Sequence, residues 1–175
     1  MTLLPVVDPA DATDAQRAVL AEWCADRAVA QMPASLWRML AANPESMRAV
    51  GKLGAHVRVG LTIDLVLKTV VAAVASRQRG YSYEIGIQDA RLSAGGIDPA
   101  HVHATAAGDE AAGLPAGVAA AARLAADMAG GVRPRTADVA ILREMLGDAG
   151  FVQLLVSAGY FLMLGDIAGV LQPAE

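Results

Sequence analysis

The chain is almost without cysteine. Its 175 residues include one, Cys24, so no intramolecular disulfide and no CxxC pair can form. A reactive thiol also needs nearby cationic help, and none stands beside Cys24 in sequence, so a small core residue is expected there. Aromatic residues supply only 4% and charged residues only 18% of the chain, a lean charge count for a soluble protein. The net charge is -4 and no basic patch stands out, which argues against a nucleic-acid partner. The opening MTLLPVVDPAD has neither a positive start nor a long apolar stretch, so no signal peptide is expected. The most apolar run, 151–165, is broken by Gln153 and falls short of the roughly 20 residues that a bilayer crossing needs. No membrane partner is expected, and the cytoplasm is the expected location. Sustained alternation and Asn-Gly turns are missing too, which removes the signals for strands and hairpins.

What remains is helical. Hydrophobic residues make up 55% of the chain, and much of the excess is alanine, a strong helix former that buries little area per residue. The length fits a single domain over 1–175, or two intimately packed halves, with 1–12 as an extended arm containing Pro5 and Pro9. So much apolar surface with so little charge suggests that some helices bury against another copy of the chain.

Helix boundaries are written in the caps. Thr13 and Gln16 form a capping box ahead of a helix expected to reach about Ala30. Pro33 opens a short helix containing Leu36, Trp37 and Leu40. Asn43-Pro44-Glu45 starts another that runs through Met47, Val50, Leu53 and Val57 and stops near Gly60. Asp98-Pro99 begins a short, solvated helix, whose His101 and His103 are two residues apart and make a poor metal pair. Pro115 opens an alanine-rich helix to about Ala129. Thr136 caps a helix to Leu146, and Asp148 caps the last long one. This predicts an all-α protein of about eight or nine helices. The helices around 62–77 and 149–171 resemble each other loosely, a weak sign of an internal repeat.

The centre of the chain is TIDLVLKTVVAAVASRQRGYSYEIGIQDARL, from Thr62 to Leu92. Thr62 is expected to cap an apolar helix, with Asp64 and Lys68 paired at i, i+4. Arg77, Gln78 and Arg79 bring positive charge to its end, Gly80 permits a turn, and a second helix opens at Ser82.

The order and spacing of five segments resemble the carboxymuconolactone decarboxylase family of the AhpD-like superfamily. These are VVDPADATD, LWRMLAANPESMRAV, LTIDLVLKTVVAAVAS, GYSYEIGIQDARLSAGG and FVQLLVSAGYFLMLGDIAGVL. The resemblance spans nearly the whole chain. It implies an AhpD-like all-α fold, a homo-oligomer (dimer, trimer or hexamer), and a site on the core helices close to a subunit contact. The thiol peroxidase branch carries a Glu, a CxxC and a His. Those positions fall here on Thr69, on Tyr81 and Glu84, and on Gln88. None of the required residues is present, so peroxidase chemistry is rejected. The decarboxylase-like branch resembles Y-E-x-x-x-H, which Tyr83 and Glu84 match and Gln88 does not.

The resemblance therefore points to a lyase, decarboxylase or isomerase that needs no cofactor and no metal and acts on a small organic acid or enol. Glu84 is the expected general acid/base. Gln88 and Tyr81, on the same side of the helix, and Thr69 supply hydrogen bonds, but Gln88 cannot carry a proton. A carboxyl buried between apolar helices favours its neutral form, which would suit proton transfer. Arg77, or Arg79, would hold a substrate carboxylate, with Tyr83 and His56 as further substrate-binding candidates. Against this stands a plainer account. Glu84 near a helix start satisfies the dipole whatever else it does, and Gln88 with Arg91 can be an ordinary polar face. A catalytically silent member that binds a small molecule or serves in assembly is the alternative. A redox role for Cys24 between subunits is a distant third.

Overall fold

The computed structural model describes residues 4–26, 28, 34–110 and 113–171. Eight α-helices and one π-helical turn carry these residues, with no strand among them: α1 Asp14–Ala25, α2 Ser35–Leu40, α3 Pro44–Ala55, the turn His56–Gly60, α4 Leu65–Gln78, α5 Ser82–Ala94, α6 Pro99–Ala106, α7 Ala116–Ala129 and α8 Thr136–Leu171. The all-α expectation holds. The chain divides into two compact units, Met1–Leu61 with Ile167–Glu175, and Thr62–Asp166.

In the first unit the arm is held by α2 and is not extended throughout: residues 9–11 form a turn, with Asp11 N–H donating to the Asp8 carbonyl and Ala10 N–H to Asp8 Oδ1. Val7 N–H donates to the Arg38 carbonyl, and Arg38 Nε donates back to the Val7 carbonyl at 2.9 Å. The capping box is formed in both directions: Thr13 N–H donates to Gln16 Oε1 and Gln16 N–H to Thr13 Oγ1. The helix behind it stops at Ala25, not near Ala30, with Asp26 as its C-cap and Ala28 at φ 51°. That left-handed conformation cannot continue an α-helix. Ala30 and Pro33 lie outside the described residues. α1 and α3 pack through Trp23, whose ring stands 5.3 Å from that of Trp37 and touches α3 at Gly51. Cys24 is half-buried on α1.

The second unit is organised around α4. Every residue from Thr69 to Ser76 is buried, so the helix is enclosed on all sides, as its all-round apolar sequence requires. Its cap is Asp64, not Thr62: the Asp64 carboxylate accepts from Val66 N–H at 2.8 Å and Leu67 N–H at 3.1 Å. A carboxylate takes two orphan amides and meets the helix dipole. Thr62 N–H instead donates to Gln153 Oε1 on α8.

Three helices of this unit point the same way. At its start α4 meets α7 through Leu67 and Gly117, and at its end Arg79 Nη1 donates to the Ala129 carbonyl, the last residue of α7. The later part of α8 runs parallel as well, since Ile63 meets Gly150 while Arg79 meets Gly165 and Asp166. Alanine makes this packing close: Ala120, Ala121, Ala122 and Ala125 on α7 are wholly buried. The first part of α8 returns antiparallel to α7, tied by Asp138 to Arg123 and by Met145 over Gly117. α8 kinks at Gly147 (φ 64°, ψ 174°), between the two helices expected from the sequence. Among the described residues, α8 is the one helix long and apolar enough to cross a membrane, and half of its most apolar window is buried.

Candidate functional site

The elbow between α4 and α5 sets the site. Gly80, at φ 66°, closes α4 with Tyr81 N–H donating to the Ser76 carbonyl and Gly80 N–H to that of Arg77. This pairing needs a left-handed residue, which glycine adopts without a Cβ clash. The chain then turns at once into α5, with Tyr81 at the N-cap position and no side-chain cap bond.

α5 carries Glu84 in its first turn, Gln88 one turn later and Arg91 one turn beyond that. Spacings of four and three put all three on one face. Glu84 and Gln88 are buried, 2% and 1% exposed. Gln88 Nε2 donates to Glu84 Oε2 at 2.9 Å. On the other side of the amide, Arg91 Nη1 donates to Gln88 Oε1 at a long 3.5 Å. Carboxylate, amide and guanidinium thus form a chain from the interior to the surface, Arg91 being exposed. Tyr81 is buried, with its ring 6.1 Å from that of Tyr83, which is exposed.

The other expected residues stand apart from this chain. Thr69 is buried on α4, and its hydroxyl donates to the Leu65 carbonyl at 2.7 Å. Arg77 is exposed at the end of α4. Arg79 is engaged with Asp166 Oδ1 at 2.7 Å and with the Ala129 carbonyl. His56 belongs to the first unit, in the π-helical turn, where its ring lies over Gly60. No group of three or more His, Cys, Asp and Glu capable of holding a metal is found among the described residues.

The sequence placed Gln88 and Arg91 on one polar face, and the structure links them. One pairing had no signal in the sequence: His103 Nε2 stands 2.9 Å from Asp89 Oδ1 and ties α6 to α5. The expectation of a solvated α6 is corrected: Val102 and Thr105 are buried and His103 is 12% exposed. The partner of His103 lies fourteen residues earlier, beyond the reach of helical periodicity.

Chemically, the α5 face offers one group able to exchange a proton, Glu84, held by an amide that cannot. No protein-family model, no curated protein and no solved structure significantly matches the chain.

Proposed function

We propose that this chain is a carboxymuconolactone decarboxylase-like protein of AhpD-like fold, a lyase, decarboxylase or isomerase working without a cofactor on a small organic acid or enol. Glu84 is its general acid/base. The observation that carries the reading is the buried Glu84–Gln88 bond on α5. A carboxyl taken out of water and oriented by a directed donor is an arrangement that proton transfer uses. Glu84→Gln should fold and assemble normally while losing roughly 10²-fold or more in turnover across a panel of small keto acids and lactone acids, the range usual for a lost acid/base group. Undiminished turnover would end the reading.

A second reading is a silent member that binds a small molecule or serves in assembly. The Thr69 and Gln88 groups favour it, since each is engaged by its own helix and neither carries a proton. Binding without turnover, insensitive to Glu84→Gln, would select it.

Both readings take the protein as a cytoplasmic homo-oligomer with no nucleic-acid or membrane partner. Support comes from large apolar side chains left in solvent: Leu65 is 65% and Val152 56% exposed. Sedimentation at micromolar concentration would show a multiple of the 18.0 kDa chain; a monomer would refute this part.

A further inference from the structure

We infer that the outer stripe of α8, made of Val152, Val156, Gly159 and Met163, docks on the same stripe of a second copy of the chain running the opposite way. The inference rests on the homo-oligomer reading and adds to it a face and a register.

Helical spacing makes the stripe. Its four residues stand at i, i+4, i+7 and i+11 and so share one side. Val152 and Val156 are exposed, and Gly159 and Met163 are half-buried. The opposite side carries Leu154, Ala158, Phe161 and Gly165, all buried, with Gly165 against Arg79 of α4. The chain covers that inner side itself and leaves the outer one to water. No charged residue occurs from 149 to 165. The solvent side of a surface helix normally carries charge, so three turns without any mark a surface for association.

The ends of the stripe say what covers it. At its start Arg143 Nη2 stands 2.6 Å from Asp148 Oδ1, and at its finish Arg79 Nε stands 2.7 Å from Asp166 Oδ1. Two copies laid antiparallel bring each start against the other's finish. Two cations and two anions then meet at either end, in alternation. The helix dipoles are also opposed in that arrangement.

Reversed, the stripe is its own complement. Val156 faces the partner's Gly159 in the same register that sets Val152 on the partner's Met163, and two-fold symmetry makes each contact twice. A Cβ at Gly159 would meet nothing within 4 Å among the described residues, so the glycine leaves a gap that a valine can enter. Parallel pairing would set glycine on glycine and leave the gap open.

Lipid is the competing apolar partner. Half of the most apolar window of α8 is already buried in the chain, so one narrow stripe is all it could offer. Helices that lie on membranes line their margins with unpaired Lys and Arg, whereas each arginine here is matched by an aspartate.

The test is cross-linking in the Cys24→Ser protein. Val152→Cys and Met163→Cys are made in separate chains, allowed to exchange subunits, and oxidised. The mixture should give a disulfide-linked dimer, and neither variant alone should. Val156→Glu and Val152→Glu each put two unpaired carboxylates into the contact and should weaken self-association at least about tenfold in sedimentation equilibrium. Val132→Glu, at an exposed position between α7 and α8, should leave it unchanged. Circular dichroism melts check that the variants are folded, and the more exposed Val152 decides if Val156→Glu is not. A wild-type monomer at about 100 µM overturns the homo-oligomer reading and this inference together. An oligomer that neither Glu variant weakens, that lacks the mixed cross-link, or that cross-links within one variant overturns the inference alone. So does flotation of the wild type with phosphatidylcholine vesicles that Val152→Glu abolishes, which assigns the stripe to lipid. Turnover by Glu84→Gln is read separately and bears on neither outcome.

Discussion

Gln88 Nε2 lies 2.9 Å from Glu84 Oε2, one helical turn away on α5, with both side chains excluded from solvent. The bond joins the only buried carboxyl on the candidate face to a group that orients it without competing for its proton. Truncating Gln88 to Ala leaves a buried acceptor without this donor and should cost about 1–3 kcal/mol. A double-mutant cycle with Glu84→Leu should return a coupling of about 0.5–3 kcal/mol, read from urea unfolding. Strict additivity would show that the two side chains do not interact.

Arg123 donates to both oxygens of Asp138, at 2.9 Å from Nε and 2.5 Å from Nη2, and Asp138 is 2% exposed. This pair fastens the first turn of α8 to α7. Asp138→Ala should lower stability by about 3 kcal/mol, because a largely buried guanidinium loses its counter-charge. The hydrogen bonds to Asp138 raise the Arg123 pKa above the ordinary guanidinium value. The linked stability is therefore fully present below that ordinary value, and the difference between wild type and Asp138→Ala should not shrink between about pH 8 and 11. Guanidinium-free urea melts across that range test it.

In the first unit, Arg48 Nε stands 2.7 Å from Glu22 Oε2, and this bond holds the Glu22 carboxyl below its ordinary 4.5. A depressed carboxyl contributes stability above its unfolded pKa and loses it as pH falls through the folded one. The margin of wild type over Arg48→Ala should thus be full above about pH 5 and vanish in stronger acid. The pair is exposed, so the margin should be small and should shrink in high salt. A margin that grows in acid would contradict the assignment.

Two glycines on α8 should respond to alanine with opposite signs. A Cβ at Gly159 meets nothing within 4 Å, so Gly159→Ala should stabilise the helix by about 0.5–1 kcal/mol. A Cβ at Gly165 would fall 2.4 Å from Arg79 Cβ. Gly165→Ala should therefore cost about 1–3 kcal/mol by overpacking and should push Arg79 away from Asp166. Thermal melts of the two variants decide the matter.

Much of the fold was written locally. Thr13 with Gln16, Asn43-Pro44 and Asp98-Pro99 mark helix starts, because a side-chain acceptor meets orphan amides only a few residues away. Gly80 and the break before Asp148 mark ends in the same short-range way. Where two caps competed, the local signal misled. Thr62 and Asp64 both precede α4, and Asp64 won because Thr62 was claimed by Gln153, ninety-one residues away.

The α5 face shows the same division. The sequence by itself determined that Glu84, Gln88 and Arg91 share one side of a helix, since that follows from a period of 3.6 residues. It also determined that no dithiol can form, by composition alone. Only tertiary structure decided which members of the face are buried, that Arg79 is spent on Asp166 and the end of α7, and that His103 meets Asp89. Each of those depends on which helices pack together. Burial and long-range pairing are properties of the packed helices, and a single helix's repeat carries no record of its neighbours.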